Sequence, residues 1–293
     1  MQAFEESANG MESMTDNRLG RLLVDQGKIK EQDIERILKY ARKKQLRFGD
    51  AATKLRLISR LDLELAMATQ FDYPYLEKGA GGYSRELVSA FSPFSQKGQA
   101  LRILRAQLLL RWQPETDKTL AVVSADAGEG CSYIAANLAV AFSQLGHRTL
   151  LIDADLQNGR QHKIFGAKND QGLSSVLVGR APCESVITPL VLFRSLSLMP
   201  AGAAPPNLGE LLGRKELSET IAKLRNQYDV IIVDTPPVSS NLGAKAVSSV
   251  CGNALLVLRK DVTRLSSATA LLQRMHDARG AEVRVVGSVM NKF

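Results

Sequence analysis

The residues best equipped for chemistry stand in three short segments. The first is Ala125-Asp126-Ala127-Gly128-Glu129-Gly130-Cys131-Ser132, which follows the β-branched run Thr119–Ser124 and precedes a stretch carrying Ala135, Ala136, Leu138, Ala139 and Phe142. Strand, glycine loop and helix in that order build a phosphate cradle: glycines let the backbone approach the anion, and the amides and dipole at the helix start favour its charge. The second segment, Thr149-Leu-Leu-Ile-Asp153-Ala-Asp155, delivers two acids at the end of an apolar run. The third, Tyr228-Asp-Val-Ile-Ile-Val-Asp234-Thr-Pro-Pro237, delivers one more. Acids at strand ends beside a glycine loop belong in the ligand crevice of an open α/β sheet.

The elements that must position these residues follow from the same runs. With Ala254–Leu258 as a fourth strand, near-continuous Val, Ile and Leu strands separated by helices predict an α/β fold, a parallel sheet flanked by helices on both faces. A further helix is expected over 96–112. The chain of 293 residues has room for two domains, and 45% hydrophobic residues suffice for a core without disulfides. The cysteines, Cys131, Cys183 and Cys251, show no CxxC or metal-ligand spacing and read as reduced thiols of a cytoplasmic protein. No basic-then-apolar signal pattern opens the sequence, and no run of about 18 apolar residues could span a bilayer. A role at a membrane would therefore run through a partner. The net charge of +8 is spread among acids, and aromatics are 5%, so no stacking platform for nucleic acid is expected. A solvated basic surface facing an anionic membrane or nucleotide is the simpler reading.

Residues 1–16 are polar and read as disordered. Over 17–76 the chain nearly repeats itself: Arg18-Leu19-Gly20 returns as Arg47-Phe48-Gly49, and Ile29-x-x-x-Asp33-Ile34 returns as Ile58-x-x-x-Asp62-Leu63. Each copy predicts two short helices, over 18–26 and 47–55 and then from near Glu31 and Arg60. Asp33 and Asp62 fall in a first turn, where a carboxylate suits the dipole. Ile34, Ile37 and Leu38, with Leu63 and Met67, form the stripe that would bury one copy against the other. This pattern resembles the N-terminal domain of type II secretion and pilus ATPases of the MshE type, some of which bind cyclic di-GMP. The resemblance implies that Arg18, Gly20, Arg47, Gly49 and Gln70 would meet such a ligand. The two copies depart from the pattern at Ala41, Phe48 and Arg56. A helical protein-docking module is the other reading. The stretch 77–95, with Gly79-Ala80-Gly81-Gly82 and Ser92-Pro93, reads as a linker. Tyr73, Tyr75 and Tyr83 lie at or beside it and are candidate phosphate acceptors as well as ordinary linker residues.

Residues 91–293, with the P-loop domain itself over 96–293, resemble the bacterial tyrosine kinases that act with polysaccharide chain-length determinant proteins, the EpsG type in particular. The likeness is carried by Asn137-Leu138-Ala139, Leu151-Ile-Asp153-Ala-Asp155, Pro200-Ala-Gly202, Pro205-Pro-Asn207, Glu210-Leu-Leu212, Asp234-Thr-Pro-Pro237 and Val286-Gly-Ser-Val-Met-Asn291. It implies a cytoplasmic P-loop ATPase-type domain, peripheral to the inner membrane through its membrane co-polymerase partner, able to form homo-oligomers. It implies ATP or ADP with Mg²⁺ as cofactors. Gly128, Glu129, Gly130, Cys131, Ser132 and Tyr133 would line the phosphates and Asn207 the adenine. Ser132, Asp153 and Asp234 would serve the metal, and Asp153, Asp155 and Asp234 the chemistry.

The sequence departs from that family where charge matters. The phosphate-loop lysine is Cys131, which cannot neutralise separating phosphates. The arginine after the second acid motif is Gln157, with Arg160 close by as a substitute. The assembly-motif glutamate is Gln99, ahead of Arg102 and Arg105, and Gly243-Ala244 stands where an Asp often precedes alanine. No tyrosine follows Tyr228, so autophosphorylation of a tyrosine cluster at the tail is not expected. Two functions remain open: a tyrosine kinase of exopolysaccharide synthesis, or a nucleotide-binding regulatory subunit of low turnover, gated by cyclic di-GMP. A ParA/MinD-like ATPase shares the fold, but Asp126 stands where those proteins carry an early loop lysine.

Overall fold

A computed structural model describes residues 18–70, 74–76, 80–204, 208–239, 243–276 and 283–292. Asn207, Pro205, Pro206, Tyr73 and the polar stretch 1–16 lie outside them. The chain divides into two compact units, Met1–Tyr75 with Ser92–Ser95, and Leu76–Phe91 with Gln96–Phe293.

The first unit is built from α1 (18–25), α2 (Glu31–Lys44), α3 (Phe48–Lys54) and α4 (Arg60–Gln70). The repeat is visible in its capping chemistry. Asp33 Oδ2 accepts the Lys30 N–H at 3.0 Å, and Asp62 Oδ2 accepts the Ser59 N–H at 3.0 Å, so each carboxylate satisfies a backbone donor that the helix start leaves orphaned. Lys28 Nζ of the first copy reaches Asp62 Oδ1 of the second at 2.7 Å. Leu19, Leu23, Ile37, Phe48, Ala51 and Ala66 form the core, with Ile34, Leu38, Leu63 and Met67 packed against it. The repeated glycines are spent on this packing. A Cβ on Gly20 would lie 3.2 Å from the Phe48 ring, and one on Gly49 would lie 2.4 Å from Leu63 Cδ1. Arg18 and Arg47 are exposed and Gln70 is half-buried.

The second unit opens with α5 (Val88–Phe91) and α6 (Gln96–Arg111) and then alternates. β1 (Thr119–Ser124) leads to α7 (Cys131–Ser143), and β2 (Thr149–Asp153) leads to α8 (Gln161–Ile164) and α9 (Leu173–Leu177). The short β3 (Thr188–Pro189) and β4 (Leu196–Met199) precede α10 (Leu208–Leu212) and α11 (Lys215–Leu224). β5 (Val230–Asp234), α12 (Gly243–Cys251), β6 (Asn253–Arg259), α13 (Leu265–His276) and β7 (Arg284–Asn291) complete it. The seven strands run in the order β3-β4-β2-β5-β1-β6-β7, parallel except for β3 against β4.

Side chains of each central strand alternate between two cores. Ala121, Val123, Leu150, Ile152, Ile231 and Val233 face α9 to α13. Leu120, Val122, Leu151, Val230 and Ile232 face α5 to α8. Both faces are therefore covered, which is why the strands read as unbroken apolar runs. The strands expected from those runs are present; β3, β4 and β7 are added at the sheet's flanks. Much of the stretch expected as a linker packs on this unit. Ser89 N–H donates to Asn137 Oδ1 at 2.8 Å, Asn137 Nδ2 donates to the Glu86 carbonyl at 2.9 Å, and Tyr83 stacks on Phe193 with centroids 5.4 Å apart.

Candidate nucleotide-binding site

The parallel register brings the loop and the acids to one edge of the sheet. β5 lies between β1 and β2, with Val122 opposite Asp234 and Asp153 opposite Asp234. The chain leaves β1 at Ser124 and turns into α7 through Gly128 (φ 80°) and Gly130 (φ 95°), a left-handed backbone that side-chain-bearing residues adopt at a cost. The first N–H groups of α7 have no acceptor within the helix, as at any helix start.

The loop is braced from outside. Glu129 is buried: its Oε2 accepts the N–H of Ala125 at 2.9 Å and of Asp126 at 3.2 Å, and the Thr263 hydroxyl donates to its Oε1. Asn291 Nδ2 donates to the Glu129 carbonyl at 3.1 Å, and Arg259 Nη1 to the Gly128 carbonyl at 3.3 Å. The Glu129 carboxylate fastens the loop to itself, which leaves the role of lining the phosphates to its backbone.

Cys131 stands first in α7 with its thiol turned under the loop. Sγ donates to the Val122 carbonyl at 2.9 Å and contacts the Thr235 carbonyl at 3.8 Å. Burial, then the Asp234 charge, push this thiol well above the usual cysteine range, so it is neutral. Thr235 Oγ1 donates to the same Val122 carbonyl at 2.9 Å.

Asp153 and Asp234 are fully buried, and their proximity shapes both. Burial raises Asp234 to about 6, against hydrogen bonding from Gln161 and then Ser132, which lowers it. Asp153 is pushed up by burial and then by Asp234. Gln161, fully buried at the start of α8, ties the pair together. Its backbone N–H donates to Asp153 Oδ2 at 2.9 Å, and its Nε2 donates to Asp234 Oδ2 at 2.8 Å and to the Ser132 carbonyl at 3.0 Å. Asp234 Oδ1 and Gln161 Oε1 are buried without a hydrogen-bond partner. Sequence reasoning missed Gln161, because one polar residue among the exposed residues after Asp155 carries no pattern.

Asp155 is half-buried and accepts the N–H of Gln157 at 3.3 Å and of Asn158 at 2.9 Å, which shapes the turn after β2. Arg160 does not replace the missing arginine at the acids: its Nη2 bonds both oxygens of Glu86 at 2.7 and 2.9 Å. Tyr133 is half-buried, its hydroxyl raised by burial and then by Glu86. Arg105 of the expected assembly motif donates to the Ala141 carbonyl at 2.8 Å. Gly243 and Ala244 are buried in the first turn of α12. Among the described residues, no helix is long and apolar enough to cross a membrane.

Comparison with known proteins agrees with this fold. A family model described as an AAA domain matches residues 117–279, more than half of the chain. The tyrosine-protein kinase YwqD of Bacillus subtilis is 30% identical over 217 residues, covering 74% of this chain and 90% of that protein. The tyrosine-protein kinase wzc of Salmonella typhi is 32% identical over 217 residues, but the match spans only 30% of its length. Among solved structures, the kinase domain of Escherichia coli tyrosine kinase ETK superposes with a TM-score of 0.65 at 27% identity, covering 70% of this chain and 79% of that domain. The chain belongs to the bacterial tyrosine-protein kinase family.

Proposed function

We propose that the protein is an ATP-binding, tyrosine-kinase-like regulator of exopolysaccharide polymerisation or export, that it acts beside a membrane chain-length determinant protein, and that its own phosphoryl transfer is weak. The observation that carries this reading is the contrast between a braced loop with its acid pair and a neutral, inward-turned thiol at residue 131. The loop amides and the dipole of α7 favour a polyphosphate. Mg²⁺ is held by one or two carboxylates together with substrate phosphates, and Ser132, Asp153 and Asp234 meet that requirement. The unpartnered Asp234 Oδ1 is a buried oxygen for which a cation is the natural complement. Bound Mg²⁺ would neutralise phosphate charge. The chain's part is to hold Ser132 against Asp234 through Gln161, to keep Asp153 and Asp234 dry, and to present loop amides to the nucleotide. Asp155, half-buried next to Asp153, is the carboxylate assigned in this reading to take the acceptor-hydroxyl proton.

What the site lacks is the lysine charge that catalysis of phosphoryl transfer normally uses. Calorimetry of the purified chain with Mg²⁺-ATP, followed by ATPase and phosphotyrosine assays of wild type and Cys131→Lys, tests the reading. The expected result is micromolar binding, little turnover, and a gain of at least tenfold in turnover for Cys131→Lys. Family-like turnover by the wild type, unchanged in the variant, would refute it.

For the first unit, the packing of Gly20 and Gly49 against Phe48 and Leu63 supports the docking module over a cyclic di-GMP receptor. Titration of the full chain with cyclic di-GMP decides: heat at micromolar ligand, lost in Arg18→Ala, would reverse that preference.

A further inference from the structure

We propose that Arg259, at the C-terminal end of β6, supplies to a bound polyphosphate the positive charge that residue 131 does not. The inference rests on the nucleotide-binding reading above. β6 pairs with β1 in parallel, Val257 opposite Ser124, so Arg259 emerges at the edge of the sheet where the phosphate loop begins. Its Nη1 lies 3.3 Å from the Gly128 carbonyl, and a Cβ built on Gly128 would sit 4.0 Å from that same nitrogen. The guanidinium thus lies against the glycine whose missing side chain opens the cradle.

Its backbone is fixed there. Arg259 N–H donates to Thr263 Oγ1 at 2.7 Å, and the Thr263 hydroxyl donates in turn to Glu129. The adjoining Lys260 N–H donates to the Asn291 carbonyl at 2.8 Å, and the Asn291 amide holds the Glu129 carbonyl. One network therefore ties the base of the arginine to the loop it touches. The residue is half-buried, with its backbone held by Thr263 and its guanidinium against the Gly128 carbonyl.

Charge favours such a cation. Asp126, Glu129 and Asp234 stand in or beside the loop, and a nucleotide polyphosphate adds more negative charge. A guanidinium carries five N–H donors in a planar fork that suits phosphate oxygens, so it can reach a loop carbonyl and a phosphate together. Its placement differs from that of a loop lysine: it approaches from the neighbouring strand, across Gly128, and not from the first residue of the helix.

The test uses a fluorescent ATP analogue and AMP, each with Mg²⁺, on the full chain carrying Arg259→Gln, Arg259→Lys, Cys131→Lys, or Arg259→Gln with Cys131→Lys. Arg259→Gln is expected to weaken the triphosphate by about tenfold, the size of a charge-assisted hydrogen bond, and AMP by less than threefold. Arg259→Lys keeps the charge but not the fork and is expected to lose less triphosphate affinity than Arg259→Gln; an equal loss in both would overturn the role of charge. Adding Cys131→Lys to Arg259→Gln restores triphosphate affinity to within threefold. A change below threefold in Arg259→Gln, or an equal loss for AMP, overturns the proposal, since the arginine would then be a brace and nothing more. A selective loss that Cys131→Lys fails to restore overturns the claim that one charge stands in for the other. If the wild type binds no triphosphate, the nucleotide reading itself fails and this inference with it.

Discussion

Replacing Asp234 by asparagine should stabilise the protein in the absence of nucleotide, because the fold buries a charge there that nothing fully offsets. Burial lifts the Asp234 carboxyl from an ordinary 3.8 to about 6. A pKa unit is worth about 1.4 kcal/mol, so the ionised carboxylate costs the folded state about 3 kcal/mol near neutral pH. An asparagine keeps an acceptor for Gln161 Nε2 and for the Ser132 hydroxyl. It also places amide donors where Oδ1 has no partner, which returns about 1–2 kcal/mol of the gain. The net is about 1–2 kcal/mol, and for a domain of this size about 2–8 °C in Tm. The sign of the pH dependence follows from a folded pKa above the unfolded one. The penalty is full above about pH 6, fades as the wild type takes up a proton, and is gone below about pH 4. Scanning calorimetry of wild type and Asp234→Asn at about pH 7.5 and about pH 4.5 should show the higher Tm of the variant at the first and not at the second. A variant that melts at or below wild type near neutral pH, or one with the same advantage at both, would refute the argument. The same substitution should weaken Mg²⁺-dependent nucleotide binding, so the carboxylate would be kept for function at the expense of stability.

Other expectations follow from the same contacts. Cys131, Cys183 and Cys251 are all buried with thiols pushed up by desolvation, so native protein should resist a thiol reagent at mildly alkaline pH and react at all of them only after denaturation; rapid native labelling would contradict their placement. Gly49→Ala drives a methyl to within 2.4 Å of Leu63 and should destabilise the first unit by about 1–3 kcal/mol, read as an earlier transition in a chemical denaturation curve. Asp62, held near 2 chiefly by Lys28 and Ser59, contributes stability that is whole above about pH 4 and drains away toward pH 2; Asp62→Asn should flatten that part of the acid titration of the first unit. Thr263→Val leaves the Glu129 carboxylate short of a donor and should cost about 1–3 kcal/mol, with faster hydrogen exchange at the loop amides of 125–130.

Much of the nucleotide unit was legible because its strands are buried on both faces and its acids stand at their ends. Asp153 and Asp234 declare themselves by an apolar run stopped by a carboxylate, a local signal. β4 and β7 do not: β4 is only four residues, and β7 alternates exposed and covered positions at the sheet's edge. The acid pair was legible, yet the groups that govern it were not. Gln161 reaches Asp234 across a sequence separation of 73, and Thr263 reaches Glu129 across 134. Contacts of that range are set by the register of β1, β2, β5 and β6, which no single residue announces. The glycines of the first unit show the reverse case. Their recurrence was legible, but a glycine that lets a ligand approach and one that lets a helix approach look alike in sequence, and only Leu63 against Gly49 separates them.

The brace explains how the loop can keep its shape with a cysteine at 131. In most phosphate loops a lysine contributes both charge and order once phosphate is bound. Here order comes from elsewhere: Glu129 takes the Ala125 and Asp126 amides, Thr263 and Asn291 hold Glu129, and the Cys131 thiol occupies the Val122 carbonyl beneath the loop. None of these bonds needs a cation at the first residue of α7. Loss of the lysine then removes charge from the transition state without unmaking the cradle. Binding and turnover are separable in this molecule for that reason, and a chain selected to bind could shed one while keeping the other.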